Sequence, residues 1–266
     1  TKLAMKLGDY TITEAGFGAD LGMEKFLDLK MPHLNKQVDA VVLVATIRAL
    51  KSHGGAEDFN IENTQALKDG IPHLNKHIQN IKSYGLNYVI ALNHFYSDTD
   101  EEISLIMNWA KENNHPIALS KGFTLGGEGM VDLANLVVKV ADQKAVFSPL
   151  YDQKDSPQIK IEKIAQKIYG AKDVHFTKKA TAQLEAYKEL GWNLPVCMAK
   201  TPLSLTGDPK IKGLPTDFTL TIQEIRPSLG AGFLVALTKG IMVMPGLNKT
   251  PRALEMEIDS EGNLIK

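Results

Sequence analysis

Val44 to Gly55 reads Val-Ala-Thr-Ile-Arg-Ala-Leu-Lys-Ser-His-Gly-Gly, and the change of character inside this stretch decides the fold. An apolar, largely β-branched run from Val38 to Ile47 leads into it, broken only by Asp39, Ala40 and Thr46. That composition suits a strand buried on both faces of a parallel sheet. Arg48, Lys51 and His53 then arrive together, followed by Gly54-Gly55. A buried strand ending in basic groups and a flexible loop delivers them to the carboxyl edge of an open α/β sheet, where ligands bind. A strand followed by a solvated loop accounts for the same letters, and the pattern alone does not choose between the two.

Outward from this stretch, apolar runs and turns keep alternating. Asn63 to Tyr84 has helical character in two pieces, because Gly70-Ile71-Pro72 interrupts it and proline disfavours a helical residue before it. Leu74, Ile78 and Ile81 share one stripe of the second piece. His73 and His77 have metal-ligand spacing, but no carboxylate motif joins them, and an exposed polar face is the expectation. Tyr88 to Leu92 is a short apolar strand, with Asn93-His94-Phe95-Tyr96-Ser97 at its carboxyl end. Asp98 and Glu101 have the spacing of a capping box, and Ile103, Ile106, Met107 and Ala110 mark the buried side of a helix. Pro116 to Ser120 is a second short strand; a glycine-rich segment, Lys121 to Gly129, and a helix to about Gln143 follow. Two consecutive strand–loop–helix units thus place Phe95 and Phe123 just past their strand ends. In a parallel arrangement both loops lie on one edge, where a flat heteroaromatic ligand could stack between two rings. The pattern alone favours core positions for both phenylalanines.

The segment Thr11 to Phe26 reads as strand, glycine turn and helix start, with Gly16, Gly18 and Gly22 allowing close approach of backbone to an anion, although the pattern alone favours a plain tight turn into a helix. Further along, Phe147 to Tyr151 is an extended connector, Ile161 to Ile168 carries a helical stripe, and Thr177 to Leu190 is a helix ended by Gly191. Pro195 to Ala199 is a buried strand containing Cys197, the single cysteine, expected to be a small hydrophobe and not a nucleophile. Phe218 to Ile222, followed by Arg226-Pro227-Ser228, and then Phe233 to Leu237 and Ile241 to Met244, are further strand candidates.

At 266 residues, with 44% hydrophobic and 23% charged residues, the chain has the composition of a globular protein with more than one structural unit. A net charge of −1 without a concentrated basic surface argues against nucleic acid as partner. No apolar run is long enough to cross a bilayer, no secretory signal is visible, and one cysteine cannot form an intrachain disulfide; the expectation is a cytoplasmic protein. The chain opens on Thr1 and runs into a strand-like segment, Asp9 to Glu14, as though inside a domain. Motifs of metalloproteases, zinc ribbons and serine hydrolases are absent, and no metal ligands are assigned.

The quoted stretch also carries a resemblance. It is similar, at all twelve positions, to a signature segment of formate–tetrahydrofolate ligases. Thr13 to Phe26, Pro195 to Thr201 and Met244 to Leu247 resemble three more blocks of that family, so the likeness runs from Thr1 to about Lys249. It implies an α/β fold of mostly parallel sheets: the carboxy-terminal part of a P-loop-type nucleotide-binding domain to Pro72, a pterin-binding unit over 73–168 and a third α/β unit over 169–266. It implies an ATP-dependent ligase, using magnesium and allowing a monovalent cation, that joins formate to tetrahydrofolate through formyl phosphate and gives 10-formyltetrahydrofolate, ADP and phosphate. The family's phosphate-binding loop is lacking, since no G-x-x-x-x-G-K-[ST] occurs in the chain, so the segment alone is expected to be inactive. Residue by residue, the likeness implies that Phe17, Gly18 and Asp20 border the nucleotide, that Phe95, Leu119 and Phe123 enclose the pterin with Gly126 and Gly127 beside it, and that Arg48 and Lys51 are the basic candidates for the anionic site. The family often has tryptophan where this chain has Phe123 and proline where it has Tyr96. Its members form tetramers. The alternatives are a non-enzymatic pterin- or nucleotide-binding module and a structural segment without a ligand.

Overall fold

The computed structural model describes residues 1–34, 36–241 and 249–264. One turn, α1 (Ala4–Leu7), is followed by an irregular segment and a helical run with wide π-type turns at Gly18–Met23 and Phe26–Lys30. Then come β1 (Val41–Ala45), α2 (Ile47–His53), α3 (Thr64–Ser83), β2 (Tyr88–Asn93), α4 (Asp100–Glu112), β3 (Ile117–Ser120), α5 (Gly122–Leu125) and α6 (Val131–Ala141). Strands β1, β2 and β3 form a parallel sheet in that order, with Val44 opposite Ala91 and Asn93 opposite Ser120. The second half adds α7 (Pro157–Lys163), β4 (Asp173–Phe176), α8 (Lys178–Glu189), β5 (Val196–Ala199), β6 (Thr219–Ser228) and β7 (Phe233–Thr238). Its sheet has the order β4-β6-β7-β5, parallel at both outer pairs and antiparallel at the β6–β7 hairpin. The fold is α/β.

The strand buried on both faces is β2, whose Tyr88 to Leu92 are all buried. The quoted stretch instead supplies the edge: Leu43 and Ala45 face the core, while Val42 and Val44 are 41% and 59% exposed. Its basic residues are not on a loop either. Thr46 accepts a hydrogen bond from the Ala49 N–H at 3.1 Å, so a helix starts one residue after the strand and carries Arg48, Lys51 and His53 in different directions. The region 63–84 is one helix, not two, and the expected boundary after Pro72 falls inside it. Pro72 lies on the exposed face, and Gly70 is a crossing point: a Cβ there would collide with the Leu50 carbonyl, just as one at Gly54 would meet that of Ala66. Close contact of α2 with α3 offsets the bond that proline forfeits.

Other elements also moved. Residues 9–14 form no strand, and Ile12 is 93% exposed. The capping box is one residue further on, Thr99 with Glu102. Arg226-Pro227-Ser228 belongs to β6, and β4 was not foreseen. Of the candidate strand Ile241 to Met244 only Ile241 is described, and the block Met244 to Leu247 lies outside the described residues.

Lys51, expected at the ligand edge, is fully buried: its ammonium pairs with Glu102 at 2.8 Å and donates to the Ile61 carbonyl at 2.9 Å. The Glu102 carboxylate also accepts from the backbone N–H of Asn63 (2.9 Å) and Thr99 (3.4 Å). One ion pair thus joins α2, the approach to α3 and the start of α4. Leaving one member of a buried pair alone costs about 3–5 kcal/mol. Lys51→Met and Glu102→Leu should each destabilise the chain by about that much in urea unfolding, and the double variant by less than the sum, since no lone charge remains.

Candidate functional site

The carboxyl edge of the first sheet gathers three segments. Strand β1 passes into α2 with Arg48 in its first turn. Strand β2 passes into the loop of Phe95, whose N–H is held by the Asp98 carboxylate at 2.8 Å. Strand β3 passes into α5, which carries Phe123. The His94 N–H donates to the Ser120 carbonyl at 3.0 Å, so the Phe95 and Phe123 loops spring from adjacent points of one edge. The Arg48 guanidinium lies over the Phe95 ring at 5.1 Å and over the Phe59 ring at 4.9 Å, one cation shared by two aromatic faces.

Phe123 is 95% exposed and overhangs a groove of ≈ 300 Å³ floored by Val42, Val44, Ala91 and Ser120. Leu119 points to the opposite face of β3 and packs against the larger core. Gly126 adopts φ +58° and ψ −138°, a conformation only glycine takes easily, while Gly127 is exposed beside it. A larger groove of ≈ 520 Å³ between α3 and α4, near Lys68 and Trp109, touches no strand end.

The candidate nucleotide residues behave differently from one another. Phe17 is 92% exposed and Gly18 has φ +86°. Asp20 is buried, in an ion pair with Lys200 at 3.1 Å; Lys200 also donates to the carbonyls of Thr201 and Ser204. Beside Asp20 stands a ladder of histidines. The Gly213 carbonyl can only accept, so His73 carries its proton on Nδ1 (2.9 Å), and His73 Nε2 then accepts from His77 Nε2 at 3.1 Å. His77 Nδ1 is left as a buried lone pair 4.0 Å from Asp20. His53 stacks on His73 at 3.5 Å and accepts the Gly213 N–H at 3.2 Å. Burial, then the neighbouring His73, pushes His53 down to about 3; burial pushes His77 to about 4, and all three rings are neutral at pH 7. The exposed polar face expected for His73 and His77 is therefore a packed seam: Gly213 anchors the loop after β5 to α2 and α3.

Next to it, burial pushes Glu24 well up and Asp28 to about 7. The Tyr84 hydroxyl donates to Asp28 at 2.8 Å, and both Glu24 oxygens are buried without a hydrogen-bond partner among the described residues. Sequence reading missed this acid pair, although carboxylates spaced one turn apart among Met23, Leu27 and Met31 were the available signal. It missed Lys200 too, which sits in a block that carried the resemblance but singled out no residue.

A family model described as formate–tetrahydrofolate ligase matches residues 1–266. The chain belongs to that family. It is 53% identical over 267 residues to the formate–tetrahydrofolate ligase of Acholeplasma laidlawii, covering 100% of this chain and 50% of the relative. The ligase of Limosilactobacillus reuteri is 53% identical over 268 residues, and that of Limosilactobacillus fermentum 51% over 267, each alignment covering 99% of this chain and 48% of the relative. The chain thus spans about half the length of these formate–tetrahydrofolate ligases.

The acid pair makes a pH dependence. A carboxyl whose folded pKa is raised stabilises the fold fully below its unfolded value near 4, and that contribution fades as pH rises through the folded value, about 7 for Asp28. The thermal midpoint of the chain should therefore gain more from the double substitution Glu24→Gln and Asp28→Asn at pH 8 than at pH 5, measured by calorimetry at matched ionic strength. An equal gain at both values would remove the carboxyls from the account.

Proposed function

We propose that this chain is part of an ATP-dependent ligase that joins formate to tetrahydrofolate, giving 10-formyltetrahydrofolate, ADP and phosphate by way of formyl phosphate. The single observation that carries the reading is the family match over all 266 residues. The adjacent Phe95 and Phe123 loops on one sheet edge support a pterin slot there, with Gly126 and Gly127 at its rim and Leu119 steadying β3 from the far face. Phe17, Gly18 and the Asp20 region are read as the border of the nucleotide. Arg48 adjoins the slot and Lys51 is turned inward; neither is given a chemical step.

A carboxylate is a poor electrophile, so formate needs activation by phosphoryl transfer, and positive charge must meet the transferring group. The chain has no G-x-x-x-x-G-K-[ST] loop to supply it. Magnesium would accompany ATP, and a monovalent cation is allowed. Among the described residues no group of three or more His, Cys, Asp or Glu is placed to hold a metal ion, so no residue is assigned to either and no step is routed through them. Cytoplasmic location and assembly into a homotetramer belong to the same reading; among the described residues no helix is long and apolar enough to cross a membrane.

Two measurements test it. The purified chain should form no 10-formyltetrahydrofolate from ATP, formate and tetrahydrofolate, whereas turnover would refute the view that essential equipment is elsewhere. Tetrahydrofolate binding should weaken by about 1–3 kcal/mol in Phe123→Ala, the scale of base–aromatic stacking, and persist or strengthen in Phe123→Trp, with nucleotide affinity unchanged in both. An alanine variant with unaltered tetrahydrofolate affinity would end the slot proposal.

A further inference from the structure

Arg48 is unusual in how it is held. Among the described residues its guanidinium makes no ion pair and no side-chain hydrogen bond; the faces of Phe59 and Phe95 are its partners, at 4.9 and 5.1 Å. Phe95 stacks on no other aromatic ring there, and its loop is held through the backbone. The Phe95 N–H donates to the Asp98 carboxylate at 2.8 Å, the Phe95 carbonyl accepts from the Asp98 N–H at 3.0 Å and the His94 N–H donates to the Ser120 carbonyl, contacts that fix the loop and not the ring. We infer that Arg48 is the positioning residue of the pterin wall: lying over both Phe59 and Phe95, it fixes the ring on whose other face the pterin stacks. The inference deepens the folate reading above and rests on it.

What Arg48 supplies is order before the ligand arrives. A phenylalanine on a loop that stops moving only when ligand arrives loses rotamer freedom at the expense of affinity, and a ring already held does not. A guanidinium can do this because it is flat and weakly hydrated and stacks over a ring, whereas an ammonium is a compact, strongly hydrated charge. The stack is built from fixed parts. The hydroxyl cap of Thr46 starts α2, and the buried Lys51, one turn after Arg48, sets the roll of that helix. Phe59 is carried by a segment closed by Asp58, which accepts from the Asn60 N–H at 2.8 Å, and pinned where Ile61 and Asn63 meet Lys51 and Glu102. With one face of Phe95 taken by Arg48 at 5.1 Å, the other is assigned to the flat ring.

The test has two readouts on the same chain. Tetrahydrofolate affinity should fall about five- to tenfold in both Arg48→Met and Arg48→Lys, the size of a lost cation–π contact, with ATP affinity unchanged and far-ultraviolet dichroism preserved. In a Phe95→Ala background Arg48→Met should add less than a twofold loss, because the ring it positions is gone. An undiminished further loss in that background would overturn the inference by making Arg48 a direct ligand contact, and so would unchanged affinity in the single variants. Independently of any ligand, fluorine resonance of fluorophenylalanine at position 95 should report one ordered ring in the unsubstituted chain and a motionally averaged ring in Arg48→Met. If that averaging appears but the unsubstituted chain binds no tetrahydrofolate, the folate reading fails and the positional contact stands; if the resonance does not change, the positional contact itself fails.

Discussion

The buried pair of Lys51 and Glu102 is the constraint on which the ligand edge depends. Two opposite charges inside a protein are tolerated only when each finds its full set of partners, and here the partners come from separate segments: the Ile61 carbonyl for the ammonium, the Asn63 and Thr99 amides for the carboxylate. The pair contributes less through its own attraction than through the geometry it imposes. Helix α2 cannot roll, the 56–63 segment cannot lift and α4 cannot slide without exposing a lone charge. Arg48 lies in the first turn of α2, Phe59 on the 56–63 segment, and the Phe95 loop leads into α4.

A second set of polar contacts joins the two halves of the chain. Asp20 from the first block, His53 and His73 from two helices, and Lys200 and Gly213 from the second half meet in one seam. The neutral histidines suit it because a neutral imidazole offers one donor and one acceptor, so Gly213 can be held by both its amide groups at once. Charging His53 would turn its accepting nitrogen into a donor facing another donor.

Much of this was legible in the sequence, and the failures have physical causes. Strands β2 and β3 and the helices after them were found because short apolar runs bounded by glycine, proline and polar residues leave few alternatives. The quoted stretch was read as a strand buried on both faces and lies instead at the edge of its sheet, because an apolar run says a strand can be buried on both faces and not whether both faces have cover. Lys51 was aimed at the ligand because the sequence shows a charge but not its partner 51 residues away, and Glu102 was overlooked in favour of Glu101, one residue out of register. The histidine seam escaped for the same reason: His53 and His73 meet only once α2 crosses α3. The π-type turns around Glu24 preserve the same apolar spacing as an ordinary helix and leave no letter-level mark. Phe59, lying in a polar loop, carried no pattern at all.

Strand β1 has one further consequence. Among the described residues it pairs only with β2, so its other rim presents a row of amide and carbonyl groups pointing sideways, beneath two exposed valines. Such a rim is a template that accepts any extended backbone of matching direction, whether from an adjoining segment or from a neighbouring copy. The five residues Val41–Ala45 are therefore where strand addition would begin, and a lysine at Val42 or Val44 would act as a gatekeeper against it only by entering the groove beneath Phe123.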